Sequence, residues 1–171
     1  MQRFVGCVIV SLCLAASASA VMLQEGTQEI QVQGNLDFEN AGGDTAMDLA
    51  LGWGYFITDY VEVGVKGGLF LSDAADSYRL GGFGEYHFDI ETILVPYMGG
   101  GLALVTTDIN NGDNTTALIV NGAAGLKLYL VENVALSFQT LLELATDDIY
   151  IADGKLKNWD LTLELGLRFY Y

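Results

Sequence analysis

Eight stretches of the chain alternate apolar residues with polar or small ones, and each is followed by a break of turn-forming residues. The two outermost are the cleanest. Glu29-Ile30-Gln31-Val32-Gln33-Gly34-Asn35-Leu36-Asp37-Phe38 alternates almost without error. From Trp159 to the end, Trp159, Leu161, Leu163, Leu165, Leu167, Phe169 and Tyr171 share one face, while Asp160, Thr162, Glu164, Gly166 and Arg168 share the other. Between them lie Asp44–Phe56, Val61–Leu71, Tyr78–Phe88, Leu94–Thr107, Thr115–Leu130 and Val134–Thr146. The polar faces carry Glu62, Gly64, Lys66 and Gly68 in the third stretch and Arg79, Gly81, Phe83, Glu85 and His87 in the fourth. They carry Asn121, Gly125 and Lys127 in the sixth, and Ser137, Gln139 and Glu143 in the seventh. The fifth stretch is rich in glycine, and its alternation leaves its facing open.

A period of two with one greasy face predicts strands whose sheet needs apolar solvent on that side. An even number of such strands, about ten residues each, can close around the polar side. The pattern therefore predicts an all-β fold, an eight-stranded antiparallel up-and-down transmembrane β-barrel of a bacterial outer membrane. The connections alternate in length as such a barrel requires. Ile57–Tyr60, Asp89–Thr92 and Val131–Asn133 are short, whereas 39–44, 72–77, 107–115 and 147–158 are longer or carry Gly and Asp. Short turns belong to the periplasm and long loops outside, with both termini periplasmic. Asn111-Gly112 and Asp153-Gly154 are hairpin-tip dipeptides, and Pro96 lies near the start of the fifth strand, where a missing N–H is tolerated. Folding the third and fourth strands about the 72–77 loop sets His87 directly opposite Glu62. Tyr55, Phe56, Tyr60, Tyr86, Phe88, Tyr97, Tyr129, Phe169, Tyr170 and Tyr171 gather near the short turns, and Phe38, Phe70, Tyr78 and Trp159 near the long ones. Two interfacial aromatic girdles are the expected consequence.

Residues 1–20 read as a signal peptide. Arg3 precedes the apolar run Phe4–Ala16, and Ala18-Ser19-Ala20 has the small-x-small form of a cleavage site. The run is too short to span a bilayer as a helix, so the mature domain is expected to be 21–171. Both cysteines, Cys7 and Cys13, fall in the signal, which leaves the mature chain without disulfide or thiol chemistry. The formal net charge is −15, from 22 acidic and 7 basic residues. Such a surface repels nucleic acid. Only 17% of residues are charged and the mean hydropathy is positive, yet no helix-length apolar run follows the signal.

The interior of an eight-stranded barrel is just wide enough for side chains to fill it. Alternation directs Glu29, Asp37, Asp48, Glu62, Glu85, Glu143, Asp160 and Glu164 inward, with Lys66, Arg79, Lys127 and Arg168. Charges at that depth persist when paired. The expected site is therefore a lumen charge network of Glu62, Lys66, Arg79, Glu85, His87, Lys127, Glu164 and Arg168 that plugs the barrel. One rival is a narrow cation-favouring pore lined by the surplus carboxylates. Another is a secreted, soluble lipocalin-like binding barrel with its apolar face inside, against which the sorting of aromatics and the small polar face both stand. No nucleophile is expected beside His87, since Ser137 sits higher and on a distant strand, so no enzyme activity is expected. Asp108-Ile109-Asn110-Asn111-Gly112-Asp113-Asn114 is calcium-loop-like but lacks the downstream bidentate Glu. Solvated acidic tips account for it, with weak Ca²⁺ or Mg²⁺ bridging to lipopolysaccharide phosphates as the alternative, and no cofactor or metal is predicted.

Tyr97-Met98-Gly99-Gly100-Gly101 after Pro96, the turn Tyr55-Phe56-Ile57-Thr58-Asp59 and the aromatic C-terminal strand together carry a family resemblance. The chain resembles the small outer-membrane β-barrel family that includes OmpA- and OmpX-like proteins. That resemblance implies a place in the outer membrane among lipid and lipopolysaccharide. It also implies a barrel-assembly machinery as partner, with Phe169 and Tyr171 as the assembly signal, although the family usually ends in Phe. A peptidoglycan-binding role of longer members is not carried over, because no such segment follows the barrel here. The expected role is structural or surface-interactive, envelope-stabilising or adhesin-like, in a monomer that presents loops 107–115 and 147–158 to an extracellular ligand.

Overall fold

Alternation becomes pairing: every expected stretch forms a strand hydrogen-bonded antiparallel to its sequence neighbour. The computed structural model describes residues 23–37, 46–71, 75–88, 92–109, 115–152 and 155–171. Its strands are β1 (Gln28–Asp37), β2 (Ala46–Phe56), β3 (Val61–Leu71), β4 (Ala75–His87), β5 (Leu94–Ile109), β6 (Thr115–Val131) and β7 (Val134–Ala145). A two-stranded ribbon, β8 (Tyr150–Ala152) and β9 (Lys155–Lys157), occupies the last long connection and is followed by β10 (Trp159–Tyr170). The barrel closes in the order β1-β10-β7-β6-β5-β4-β3-β2. At the seam, Glu29 to Gly34 pair with Tyr170 to Leu165. The expected signal 1–20, Phe38, the 39–44 loop and the tips Asn111-Gly112 and Asp153-Gly154 lie outside the described residues.

The apolar faces point out. Leu51, Val65, Leu80, Leu102, Leu104, Leu163 and Leu165 are each more than half exposed, whereas Glu29, Gln31, Glu62, Lys127 and Arg168 are fully buried. A lipocalin-like barrel requires the opposite arrangement, so that alternative is overturned. Leu51 lies midway along β2 and stands at the apolar belt. Leu51→Arg is expected to cost about 2–4 kcal/mol in equilibrium unfolding from lipid; a neutral result would contradict a hydrocarbon-facing belt.

Three expectations need correction or completion. The β3–β4 hairpin is tighter than a 72–77 loop, because Leu71 already pairs with Asp76. Glu62 therefore faces Glu85, not His87, and His87 lies beyond the end of β3 with its N–H on Tyr60 O at 2.8 Å. The slip is two residues, so every side chain keeps its face. The facing of β5 is now defined: Val95, Tyr97, Ala103, Val105 and Thr107 are buried inside, and Leu94, Met98, Leu102 and Leu104 are outside.

The third correction concerns the girdles. Tyr55, Tyr60, Tyr86, Phe88, Phe169 and Tyr171 are exposed at the short-turn end, and Tyr78 and Trp159 at the other. Phe56, Tyr97, Tyr129 and Tyr170 point into the lumen instead, and Phe70 is on the inward register of β3 with half-buried character. The inside is thus layered. At the short-turn end, Phe56, Val95, Tyr129, Ala135 and Tyr170 form an apolar layer onto which Leu23 packs. Gly26, at φ 94°, takes the left-handed turn that brings this N-terminal segment across the opening, and its N–H reaches Phe56 O at 2.9 Å. At the long-loop end, Ala103, Val105, Ala117, Ile119 and Ala145 form a second layer with Ile149 and Tyr150.

Candidate functional site

Between the two apolar layers sits the charge. Five strands, β1, β3, β4, β6 and β10, bring Glu29, Glu62, Glu85, His87, Lys127 and Arg168 to one level, none more than 5% exposed. Lys127 Nζ is 2.8 Å from Glu29 Oε2, 3.1 Å from Glu85 Oε2 and 3.4 Å from Glu62 Oε2. Arg168 binds Glu29 through one terminal nitrogen. It grips Glu85 with both, at 3.3 and 3.4 Å, the bidentate fork that a guanidinium fits. Its Nε donates to Ser137 Oγ at 3.2 Å. His87 Nε2 stands 3.7 Å from Glu62 Oε2 and 3.6 Å from Glu85 Oε2. Its ring lies between Phe56 and Tyr97, with centroids 5.1 and 5.8 Å away. These six residues form the floor of the polar compartment, resting on the apolar layer below.

Room for long side chains comes from inward glycines. A Cβ on Gly54 would collide with Glu62 Oε1, and one on Gly99 would fall 2.9 Å from Glu85 Cγ. Tyr97 lies over its cross-strand partner Gly125, where a Cβ would meet the ring at 2.8 Å. From the floor, hydrogen bonds climb the lumen. Arg168 donates to Tyr97 Oη at 3.2 Å, Tyr97 donates to Gln139 Oε1 at 2.7 Å, and Gln139 Nε2 donates to Glu164. Above this chain, Arg79 pairs with Glu143 at 2.8 Å. Lys66 makes no ion pair among the described residues and sits 5.6 Å over the Phe83 ring. A cavity of about 40 Å³, lined among others by Asp48, Lys66, Arg79, Glu143 and Glu164, occupies the upper half. It has room for a few waters.

The eight residues expected in one network are therefore divided. Glu62, Glu85, His87, Lys127 and Arg168 meet directly, Glu164 joins through Gln139, and Arg79 and Lys66 stand apart in the upper half. Glu29 and Glu143, inward by alternation, are the partners that strand-by-strand reading could not assign. Tyr97, Gln139 and Ser137 are connectors that a search for charges passes over. Donor atoms of Glu62, Glu85 and His87 gather within 4.8 Å of one another, but Lys127 Nζ already supplies a cation to both carboxylates, and we do not read a metal centre there. Phe169 and Tyr171 sit on the outward face of the last strand.

Comparison with known proteins agrees with this architecture. The family model of the OprF membrane domain matches residues 1–170. Among solved structures, the N-terminal β-barrel domain of Pseudomonas aeruginosa OprF is similar at 25% identity and a TM-score of 0.64, over 86% of this chain and 98% of that one. Neisserial surface protein A matches with 18% identity and a TM-score of 0.60, over 85% and 96%. The outer membrane protein OprG from Pseudomonas aeruginosa matches with 14% identity and a TM-score of 0.51, over 86% and 97%. The last two show the fold alone. No curated protein matches the chain. The chain belongs to the OprF membrane domain family, as an eight-stranded barrel of the outer membrane.

Proposed function

We propose that the protein is a closed barrel whose work is structural or surface-interactive: it stabilises the envelope and presents its long connections outward. The observation that supports this is the layered lumen, in which buried ion pairs lie between two apolar layers. A water path would have to pass Phe56, Tyr129 and Tyr170 at one end and Val105, Ala117 and Ile119 at the other. Residues 1–20 act as an export signal in this reading. Phe169 and Tyr171 present the assembly signal, and the monomer sits in lipid and lipopolysaccharide with its short turns in the periplasm. Loops 107–115 and 147–158 are the surfaces for an extracellular ligand. We assign no catalysis: His87 is surrounded by carboxylates, a lysine and aromatic rings, and Arg168 engages the Ser137 hydroxyl.

Single-channel recording of the refolded protein in a planar bilayer, across a salt gradient, tests the reading. No steps above background are expected. Steady cation-selective steps would overturn closure and favour the narrow pore, with the surplus inward carboxylates setting its selectivity.

A further inference from the structure

The last long connection does not stand clear of the barrel. After β7 the chain stays tied to β6: Thr146 N–H donates to Leu118 O at 2.9 Å, and Leu118 N–H donates to Thr146 Oγ1 at 3.1 Å. Ile149 and Tyr150 then pack onto Ala103, Val105, Ala117, Ile119 and Ala145, inside the mouth. The Tyr150 hydroxyl reaches down to Glu143 Oε2 at 3.2 Å, while Oε1 of the same carboxylate takes Arg79 at 2.8 Å. One carboxylate thus joins a residue of the outer connection to a cation of the lumen. Burial first, and then the Glu143 carboxylate, push the Tyr150 phenol above its ordinary range, so it remains a donor at neutral pH. Directly beneath lies the charged cavity of about 40 Å³.

We propose that Tyr150 is a latch, holding the root of the 147–158 connection in the barrel mouth and shutting the charged chamber off from outside. Pulling this root outward, as a ligand on the connection would do, breaks the Tyr150–Glu143 hydrogen bond and opens the buried Glu143 carboxylate, and the chamber beneath it, to external water. The inference rests on the closed reading given above. A hydrogen bond to a charged group, once lost, shifts such an open–closed balance on the order of ten- to a hundredfold.

Because the mature chain has no cysteine of its own, a single introduced thiol is a clean probe. Ala123 lines the chamber. The mature chain, residues 21–171, carrying Ala123→Cys and refolded into liposomes, is exposed to a small charged thiol reagent, and labelling is followed by mass. Slow labelling is expected, and adding Tyr150→Phe should accelerate it on the order of ten- to a hundredfold by the bond estimate. Equal rates would overturn the latch. Fast labelling with Tyr150 intact would instead overturn the closed reading, so the two failures are distinguishable. Ala135→Cys, in the apolar layer at the opposite end, should keep its rate when Tyr150→Phe is added. Acceleration at both ends would mean general loosening and would also overturn the latch. Ile149→Ala thins the packing of the same root and should also accelerate labelling of the chamber. If the Tyr150→Phe protein fails to fold, an unchanged rate in Ile149→Ala overturns the latch in its place.

Discussion

Arg168→Met is expected to destabilise the folded barrel by about 3–5 kcal/mol in an equilibrium urea titration from lipid. The methionine fills much of the volume, but it leaves Glu29 and Glu85 short of their principal partner. Arg168 contacts both carboxylates, the Tyr97 hydroxyl and Ser137, and it is fully buried. From the short-turn end, water cannot reach the stranded charges without disrupting the apolar layer of Phe56, Tyr129 and Tyr170. Arg168→Lys should recover only part of the loss, because an ammonium cannot form the two-nitrogen grip on Glu85. The same truncation at Arg79 should cost less. Arg79 is 23% exposed in its side chain, and Glu143 keeps the Tyr150 hydroxyl. A loss below about 1 kcal/mol for Arg168→Met, the level of a surface pair, would mean that the floor is wet.

Gly54→Ala should cost about 1–3 kcal/mol through overpacking, although an alanine in a strand is ordinarily no burden. The added methyl falls where Glu62 Oε1 now lies, with Cδ only 2.7 Å away, so the whole carboxylate must shift from its place beside Lys127. Glu62→Ala is the informative companion. It removes one of three carboxylates and leaves Glu29 and Glu85 facing Lys127 and Arg168, two charges of each sign. Within that background Gly54→Ala should be nearly neutral, giving a coupling of at least about 1 kcal/mol in a double-mutant cycle. Strict additivity would show that Gly54 is not there to make room for Glu62.

How much of this could be read from the chain varies with the kind of interaction. Strand number, strand spans and the faces of β3, β4, β7 and β10 follow from alternation, because hydrocarbon outside and charge inside impose opposite chemistry on neighbouring positions. β5 resisted for a physical reason. Ala103 and Val105 belong to the inner apolar layer while Leu102 and Leu104 face outward, so both faces are apolar and the period of two disappears. The rule that inward means polar also sent Phe56, Tyr129 and Tyr170 to the wrong side, although their own strands' parity placed them inside. Partner choice was less legible still. Which inward charge meets which depends on how far each strand is staggered around the barrel. A two-residue slip at the β3–β4 turn left every face intact but exchanged the residue opposite Glu62. Arg168 meeting Glu29 and Glu85 depends on the seam register of β1 and β10, a pairing between the two strands most distant in sequence.

That seam also bears on the order of events in assembly. Glu29 belongs to the first strand and Arg168 to the last, and they become neighbours only when β1 and β10 zip together. A sheet still open at this edge has no inside, so its carboxylates and cations remain hydrated and need no partners. Dehydration of the whole cluster is then concentrated in one late step, edge closure. Once the edge has closed, Glu29 on one side of the join and Arg168 on the other hold it against reopening.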